Sequence, residues 1–508
     1  PVAVGTRVSP ADAVNMAVLT PAGNGPTLRY GFGAHNVRLM GVSSQLSVST
    51  SVSHLVGFGA DTPILPSVPD EVASYITYDR VHITSLSETL SSRTGIQTNC
   101  NYFALINSHI DNIKDNVSDS QALQVRVGEG IRVQNNFLEA AGENLMMGGD
   151  PISLPNGSAR DVTICYNHFS KRNEWNSRHP DYNKIKWACK NLFELKIGER
   201  VWYHSNVLDH NFASAQAGVA IVLTPSENSV KDITIENCII KRIGRLCLLF
   251  SGSEQQRALQ RILFRNLLVY QQGGNDLYGT VGKGFNFVGS GPVQDVEIDH
   301  CTVVFTKGHI GQNFILAQTG GVVNVDNLRV TNNLFDSGRY HGWLTQTDRL
   351  TNVTVEGNGV FFNPSGNYIS DAGFVMTYGD GNTKANTIEE VMFTDRINHD
   401  YTLADDSPFR NAATDGKDCG VDFAELDAAL AGVVTGVPDP PPEPDPEPDP
   451  DPPPPDPEPE PEPPPPDPDP IKAEITLAIV KLLMIDAETL NSKQRNKLSH
   501  AIRDLRAI

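Results

Sequence analysis

Six polar residues sit in three short segments built on one pattern: Asp119 and Gln121 in SDSQA (118 to 122), Glu143 and Asn144 in AGENLMMGG (141 to 149), Glu194 and Lys196 in KNLFELK (190 to 196). If each segment is a strand in a successive turn of a repeating backbone, equivalent positions stack into one patch at about 5 Å spacing. Two carboxylates at such a separation could cleave a glycosidic bond, and a Lys or Arg beside a carboxylate could take the proton next to a uronate in a β-elimination. Strand alternation predicts who faces outward: with Phe193, Leu195 and Ile197 inward, Glu194 and Lys196 point out together. Glu194, Lys196, Glu143 and Asp119 are therefore the catalytic candidates. Gln121, Asn144, Trp175, Trp187 and Arg200 are read as substrate-binding. The competing reading is an outward ladder of ion pairs and amides that only holds neighbouring turns in register. Gly148 and Gly149 favour a sharp turn in either case.

The element that must position these residues recurs along most of the chain. IRVQNNFLEAA (131 to 141) has altered copies in NVRLMGVSS (36 to 44), YDRVHITSL (78 to 86), FALINSHIDNI (103 to 113), DVTICYNHFSK (161 to 171), RVWYHSNVLDH (200 to 210), DITIENCIIKR (232 to 242), RILFRNLLVYQ (261 to 271), DVEIDHCTVVF (295 to 305), NLRVTNNLFDS (327 to 337) and NVTVEGNGVFF (352 to 362). Aligning on Asn136 marks Val81, Ser108, Asn167, Asn206, Cys238, Leu267, Cys301, Asn333 and Asn358, at irregular steps of 25 to 39 residues. Helical repeats hold a nearly fixed period, whereas a parallel β-helix keeps its strands and lets its turns swell. A second apolar run follows each copy, as in SQALQVRV (120 to 127), NLFELKIG (191 to 198), GVAIVLT (218 to 224), RLCLLFSG (245 to 252), GFNFVGSG (284 to 291) and NFILAQTG (313 to 320). The expected fold is all-β, a right-handed parallel β-helix of about eleven rungs and roughly 50 Å. The Asn at each bend is expected to bond to the Asn of the next rung.

Turns grow longest over 170 to 190 and 270 to 284, and insertions of this kind gather on one face of a solenoid and commonly shape a groove. The first insertion holds Trp175, His179, Tyr182 and Trp187, which suit stacking on sugar rings or, equally, folding back over the rod. Residues 1 to 34 read as an N-terminal cap or truncated first rung, with Ser9-Pro10 opening a short helix. The solenoid is assigned to 35 to 400 and a capping segment to 401 to 437, with a short helix at 422 to 430. The tract from Pro438 to Pro470 alternates Pro with twelve Asp and Glu, which predicts a stiff polyproline II spacer. Residues 471 to 508 carry two amphipathic stripes, expected to serve self-association or docking on a partner.

The net charge of −20 comes largely from that tract; the remainder is near −8, and no Lys/Arg patch argues for nucleic acid. No apolar run reaches the roughly 18 residues of a membrane span, so a soluble chain without membrane insertion is expected. Of the seven cysteines, which show no metal spacing, most read as core thiols. The start at Pro1 without Met or an apolar leader suggests a removed targeting segment or a fragment.

The strand, Asn and strand pattern, together with SDSQA, AGENLMMGG and KNLFELK, resembles the right-handed parallel β-helix of the pectate-lyase-like superfamily, in particular bacterial right-handed β-helix repeat proteins, over roughly residues 5 to 360. The resemblance implies the fold and an extracellular, carbohydrate-bound setting, and supplies no established reaction. VEIDHCT (296 to 302) matches a pectate-lyase strand motif only superficially, since it is also one more copy of the repeat. The companion Arg motif is missing, and so is any Asp cluster suited to calcium; no cofactor is expected. Asp405-Asp406 lies outside the rungs, which disfavours a polygalacturonase site. Two readings follow: an extracellular polysaccharide-binding protein with lyase or glycosidase chemistry along one face, or a virion or cell-surface fibre resembling a phage tail spike, associating through residues 471 to 508.

Overall fold

Alternating apolar side chains direct each short strand toward a shared dry interior. The computed structural model describes residues 3 and 5–436, apart from 48–50, 59–65, 253–257, 307–314, 318–323, 338–349, 363–369 and the single positions 156, 227, 275 and 290. All described residues belong to the unit Pro1–Pro441. The Pro-rich spacer and the association helices expected from the sequence lie outside the described residues.

One turn illustrates the rest. Strand Gln121–Gln134 runs along a first face, bends at Gly128 and continues along a second. Asn135 and Asn136 turn the chain, Phe137–Ala140 forms a third face, and a tight turn at Ala141 and Gly142 returns it to the first face at Glu143–Met147. Every face pairs in parallel with its equivalents one turn before and after. The molecule is a parallel β-helix. Strands Ala17–Leu19 and Leu28–Tyr30 already pair in parallel with Val42–Leu46 and Val52–Phe58, so stacking is under way within residues 17 to 30. Just ahead, Ser9 and Asp12 form the capping box of a short 3-10 helix, Pro10–Asn15.

The interior is a continuous column of aliphatic and aromatic side chains, among them Ile96, Leu123, Leu145, Phe193, Ile221, Leu249 and Phe287. The cysteines are free and buried, as expected of core thiols. At the bend between second and third faces, the residues aligned from sequence form one column. Asn167 Oδ1 accepts from Asn136 N at 2.9 Å and Asn136 Nδ2 at 3.0 Å, while Asn167 Nδ2 donates to Val133 O at 2.9 Å and Asn206 Oδ1 at 3.0 Å. The same pattern links Asn333, Asn358 and Asn382, the last a rung that the periodicity did not mark. Buried amides that satisfy both one another and the backbone remove the desolvation cost of turning the chain inside the protein. The residue before each bend takes a left-handed conformation, φ 53° at Asn107, 54° at Asn135 and 60° at Asn332, which suits Asn.

The C-terminal segment does more than close the end of the stack. After Thr383–Ala385 pairs with the preceding rung, residues 404 to 436 run back along the bends. Thr414 N donates to Asn332 Oδ1 (2.8 Å), Val421 N to Thr302 Oγ1 (3.0 Å) and Asp422 N to Asn266 Oδ1 (2.7 Å). The expected helix is Phe423–Leu430, its N-terminus capped by Asp422. Farther on, Val433 packs against Cys165, Tyr166 and Val207, and Gly436 O accepts from Arg7 N at 2.8 Å. The path has a physical cause: Leu268, Tyr270, Val304, Leu334 and Phe361 project outward from the third face, and Val391, Tyr401, Phe409, Val421 and Leu426 cover them.

Candidate functional site

Outward residues of the first face stack in the order Gln97, Gln124, Met146, Glu194, Val222, Leu248, Asn286. Phe193, Leu195 and Ile197 are fully buried in the core, and on the opposite side of the strand point Glu194, only 5% exposed, and the partly exposed Lys196. They line an open groove of about 620 Å³ with Val222, Leu248, Arg245 and Asn286, and with Phe250 at its edge. Burial pulls the Arg245 guanidinium below its ordinary pKa, and its Nε donates to Thr280 Oγ1 at 3.1 Å. Lys196 Nζ lies 3.6 Å from Glu194 Oε1, and Asn191 Nδ2 donates to Glu194 Oε2 at 2.8 Å. Glu194 is the only carboxylate among the described residues lining the groove.

Glu143 does not stack on Glu194. It pairs with Gln121, whereas Glu194 pairs with Met146, so the two carboxylates are offset by three residues along the strand direction. The expected single column of carboxylates is thus corrected to two levels. Glu143 is fully buried at the corner behind the groove. Gln121 Nε2 donates to its Oε2 at 2.8 Å; Oε1 lies 3.9 Å from Lys190 Nζ. Lys190 in turn donates to Asp119 Oδ2 at 2.6 Å. Burial, then the negative charges of Glu194 and Asp119, push the Glu143 carboxyl up to about 8. Glu143 is therefore mostly a neutral acid at neutral pH, beside a carboxylate that reaches the groove.

A raised carboxyl has a definite stability signature. The folded chain keeps the Glu143 proton over the range in which the unfolded chain has lost it, so this group withdraws stability progressively from about pH 4.5 to pH 8. Glu143→Gln keeps the acceptor for Gln121 and cannot ionise. Urea unfolding should show the variant gaining on the wild type by on the order of 2 to 4 kcal/mol between pH 5 and pH 8.5. A pH-independent difference between them would show that Glu143 ionises normally.

Other sequence candidates take different places. Asn144 is buried and donates from Nδ2 to Leu138 O (2.6 Å) and Ser170 O (2.7 Å), which occupies it in the corner and removes it from substrate binding. Gln121 is likewise buried and orients Glu143. Trp175 and Trp187, read as substrate-binding with folding back over the rod as the equal alternative, take the second course: they are 2% and 1% exposed and pack with Ala141, Cys189, Phe212 and Tyr278. Large apolar rings beside an uncovered corner gain more from burial than from exposure, and an indole without a free face cannot stack on a sugar. Arg200 lies on the second face, paired with Asp161 at 2.6 and 2.7 Å, and does not line the groove.

Arg245 and Asn286 went unmarked in the sequence although both lie in the quoted second runs. Setting Cys247 and Phe287 inward, as Leu195 is, points Leu248 and Asn286 outward by the same alternation that found Glu194. Among the described residues no group of His, Cys, Asp and Glu has the arrangement of a metal site, and no helix is long and apolar enough to cross a membrane.

Fold and groove together define a parallel β-helix with a charged, open groove on its first face. No family model and no curated protein matches the sequence. Among solved structures it is similar to the Dettilon tailspike protein gp208 (13% identity, TM-score 0.42, covering 73% of this chain and 62% of that one). It is also similar to tailspike gp49 of Acinetobacter baumannii bacteriophage Fri1, a capsular polysaccharide depolymerase (11% identity, TM-score 0.28, 73% and 63%). A third is a mannuronic acid specific polysaccharide family 6 lyase from human gut microbiota (9% identity, TM-score 0.30, 83% and 94%). The chain spans less than two thirds of the length of the two tailspikes.

Proposed function

We propose that this chain binds an acidic polysaccharide along the first-face groove and cleaves it by β-elimination, with Glu194 as the acid–base group. The observation that carries the reading is a groove lined by one carboxylate among its described residues, Glu194, with Lys196 3.6 Å from it and Arg245 on the same lining. Hydrolysis by the usual route needs two carboxyl groups flanking the glycosidic bond, and Glu143 is sealed behind the groove. Elimination asks for less. A base removes the proton next to the uronate carboxylate, the electron pair forms a carbon–carbon double bond, and the glycosidic oxygen leaves with its bonding pair and takes up a proton. Cations close to the substrate carboxylate stabilise the charge that develops there. Asn191 orients Glu194, and Lys196 and Arg245 would neutralise the uronate. The extracellular setting implied by the sequence resemblance is part of the proposal.

The test is a screen of the purified chain against uronate-containing and neutral polysaccharides, reading both binding and the ultraviolet absorbance of unsaturated uronates. Absorbance on an acidic glycan is the expected result. New reducing ends without that absorbance would replace elimination by hydrolysis; binding without cleavage would leave a glycan-binding rod. Silence in both assays would overturn the reading and favour a structural fibre.

A further inference from the structure

Trp202 stands on the second face, away from the groove, and is 48% exposed where Trp175 and Trp187 are buried. Its ring is already held in place. One side stacks on the His204 imidazole with centroids 3.9 Å apart and planes 28° apart, and Nε1 donates to Glu236 Oε1 at 2.7 Å. An aromatic ring fixed before its ligand arrives loses little conformational freedom on binding.

The ring lies in a shallow depression of about 560 Å³, within the size range of small-ligand sites, roughly 300 to 1,000 Å³. In register with Trp202 across the rungs come Thr163 on one side and Thr234, Leu263 and Glu297 on the other. The two arginines beside it are already neutralised: Arg200 grips Asp161 at 2.6 and 2.7 Å, and Arg261 grips Asp232, its Nη2 at 2.8 Å. Carboxylate and hydroxyl oxygens accept hydrogen bonds readily from sugar hydroxyls. Among the described residues lining the depression both arginines are paired, and a flat ring flanked by Thr234 and by Glu297, itself 3.7 Å from Arg329, suits a neutral sugar ring, apolar C–H face down and hydroxyls outward.

We propose that Trp202 is the platform of a second glycan site, specific for neutral hexose units and separate from the groove. It does not depend on what the groove does. The probes are cellohexaose, mannohexaose and galactohexaose, titrated against the full chain and followed by tryptophan emission and calorimetry. At least one probe should shift the emission of the wild type. Trp202→Ala should weaken that probe at least tenfold, Trp202→Phe several-fold less, and Glu194→Gln not at all. Circular dichroism confirms that each variant is folded, and Trp202→Phe keeps the comparison informative if the alanine variant is not. Failure of all three hexaoses to bind overturns the site, as does affinity that survives both ring substitutions. A change of oligomeric mass in Trp202→Ala with no loss of affinity would make this face an interface between copies and equally overturn it.

Discussion

Glu194→Gln is expected to lower kcat on the acidic glycan found by the screen by about a hundred- to ten-thousandfold, the range attributed to a single positioned acid–base group. KM should change little. The amide matches the carboxylate in size, can still accept from Asn191 Nδ2, and leaves Phe193, Leu195 and Ile197 in the core. What it loses is the capacity to take a proton at an oxygen that lines the groove. Lys196→Met separates the roles further: the lost contact to the uronate raises KM, and the lost stabilisation of the developing charge lowers kcat by less than Glu194→Gln does. Measuring both parameters for both variants decides the assignment. Turnover by Glu194→Gln within tenfold of the wild type would remove Glu194 from the chemistry, and a kcat collapse confined to Lys196→Met would make the lysine the base.

Parts of this site were legible in the sequence for a simple reason. Asn136, Asn167, Asn206 and Asn333 mark one bend because each must bond its counterpart, so the chemistry of stacking is written as repetition. Alternation likewise placed Glu194 and Lys196 on one side of a strand. Periodicity does not carry the offset between rungs across a long insertion. The turn from 171 to 192 sets Glu194 beside Met146 and leaves Glu143 three positions back, and nothing local announces that slip. The same limit applies to Trp175 and Trp187, whose loop composition allows either exposure or burial; the choice was made by the uncovered Ala141 corner and by Tyr278, roughly a hundred residues away. The returning C-terminal segment was the least readable, since its partners Asn266, Thr302 and Asn332 lie in three separate repeats.

Lys171→Met is expected to be the most destabilising single substitution in the site region, at about 4 kcal/mol or more, through the loss of one ammonium that satisfies several buried oxygens. Lys171 is buried, and its Nζ donates to Ala140 O (2.8 Å), Ala141 O (2.8 Å) and Gly142 O (2.6 Å), with Asn144 Oδ1 at 3.1 Å. Burial draws its pKa down to about 8, which still leaves it charged at neutral pH. Methionine fills similar volume but offers no donor, so these acceptors are left in a dry corner at about 1 to 3 kcal/mol each, less whatever water can enter. The backbone has little room to seek other partners: a side-chain carbon on Gly142 would come within 2.3 Å of Ser120 O. Because residues 140 to 144 deliver Glu143 and the strand that follows, the damage should not stay local. Hydrogen exchange should rise first across Glu143–Met147 and then along the paired strand Phe193–Leu195, while the distant bend around Asn333 and Asn358 keeps its protection. Denaturant unfolding of the variant within 1 kcal/mol of the wild type would mean that water replaces the ammonium, and that the corner behind the groove is wetter than its burial implies.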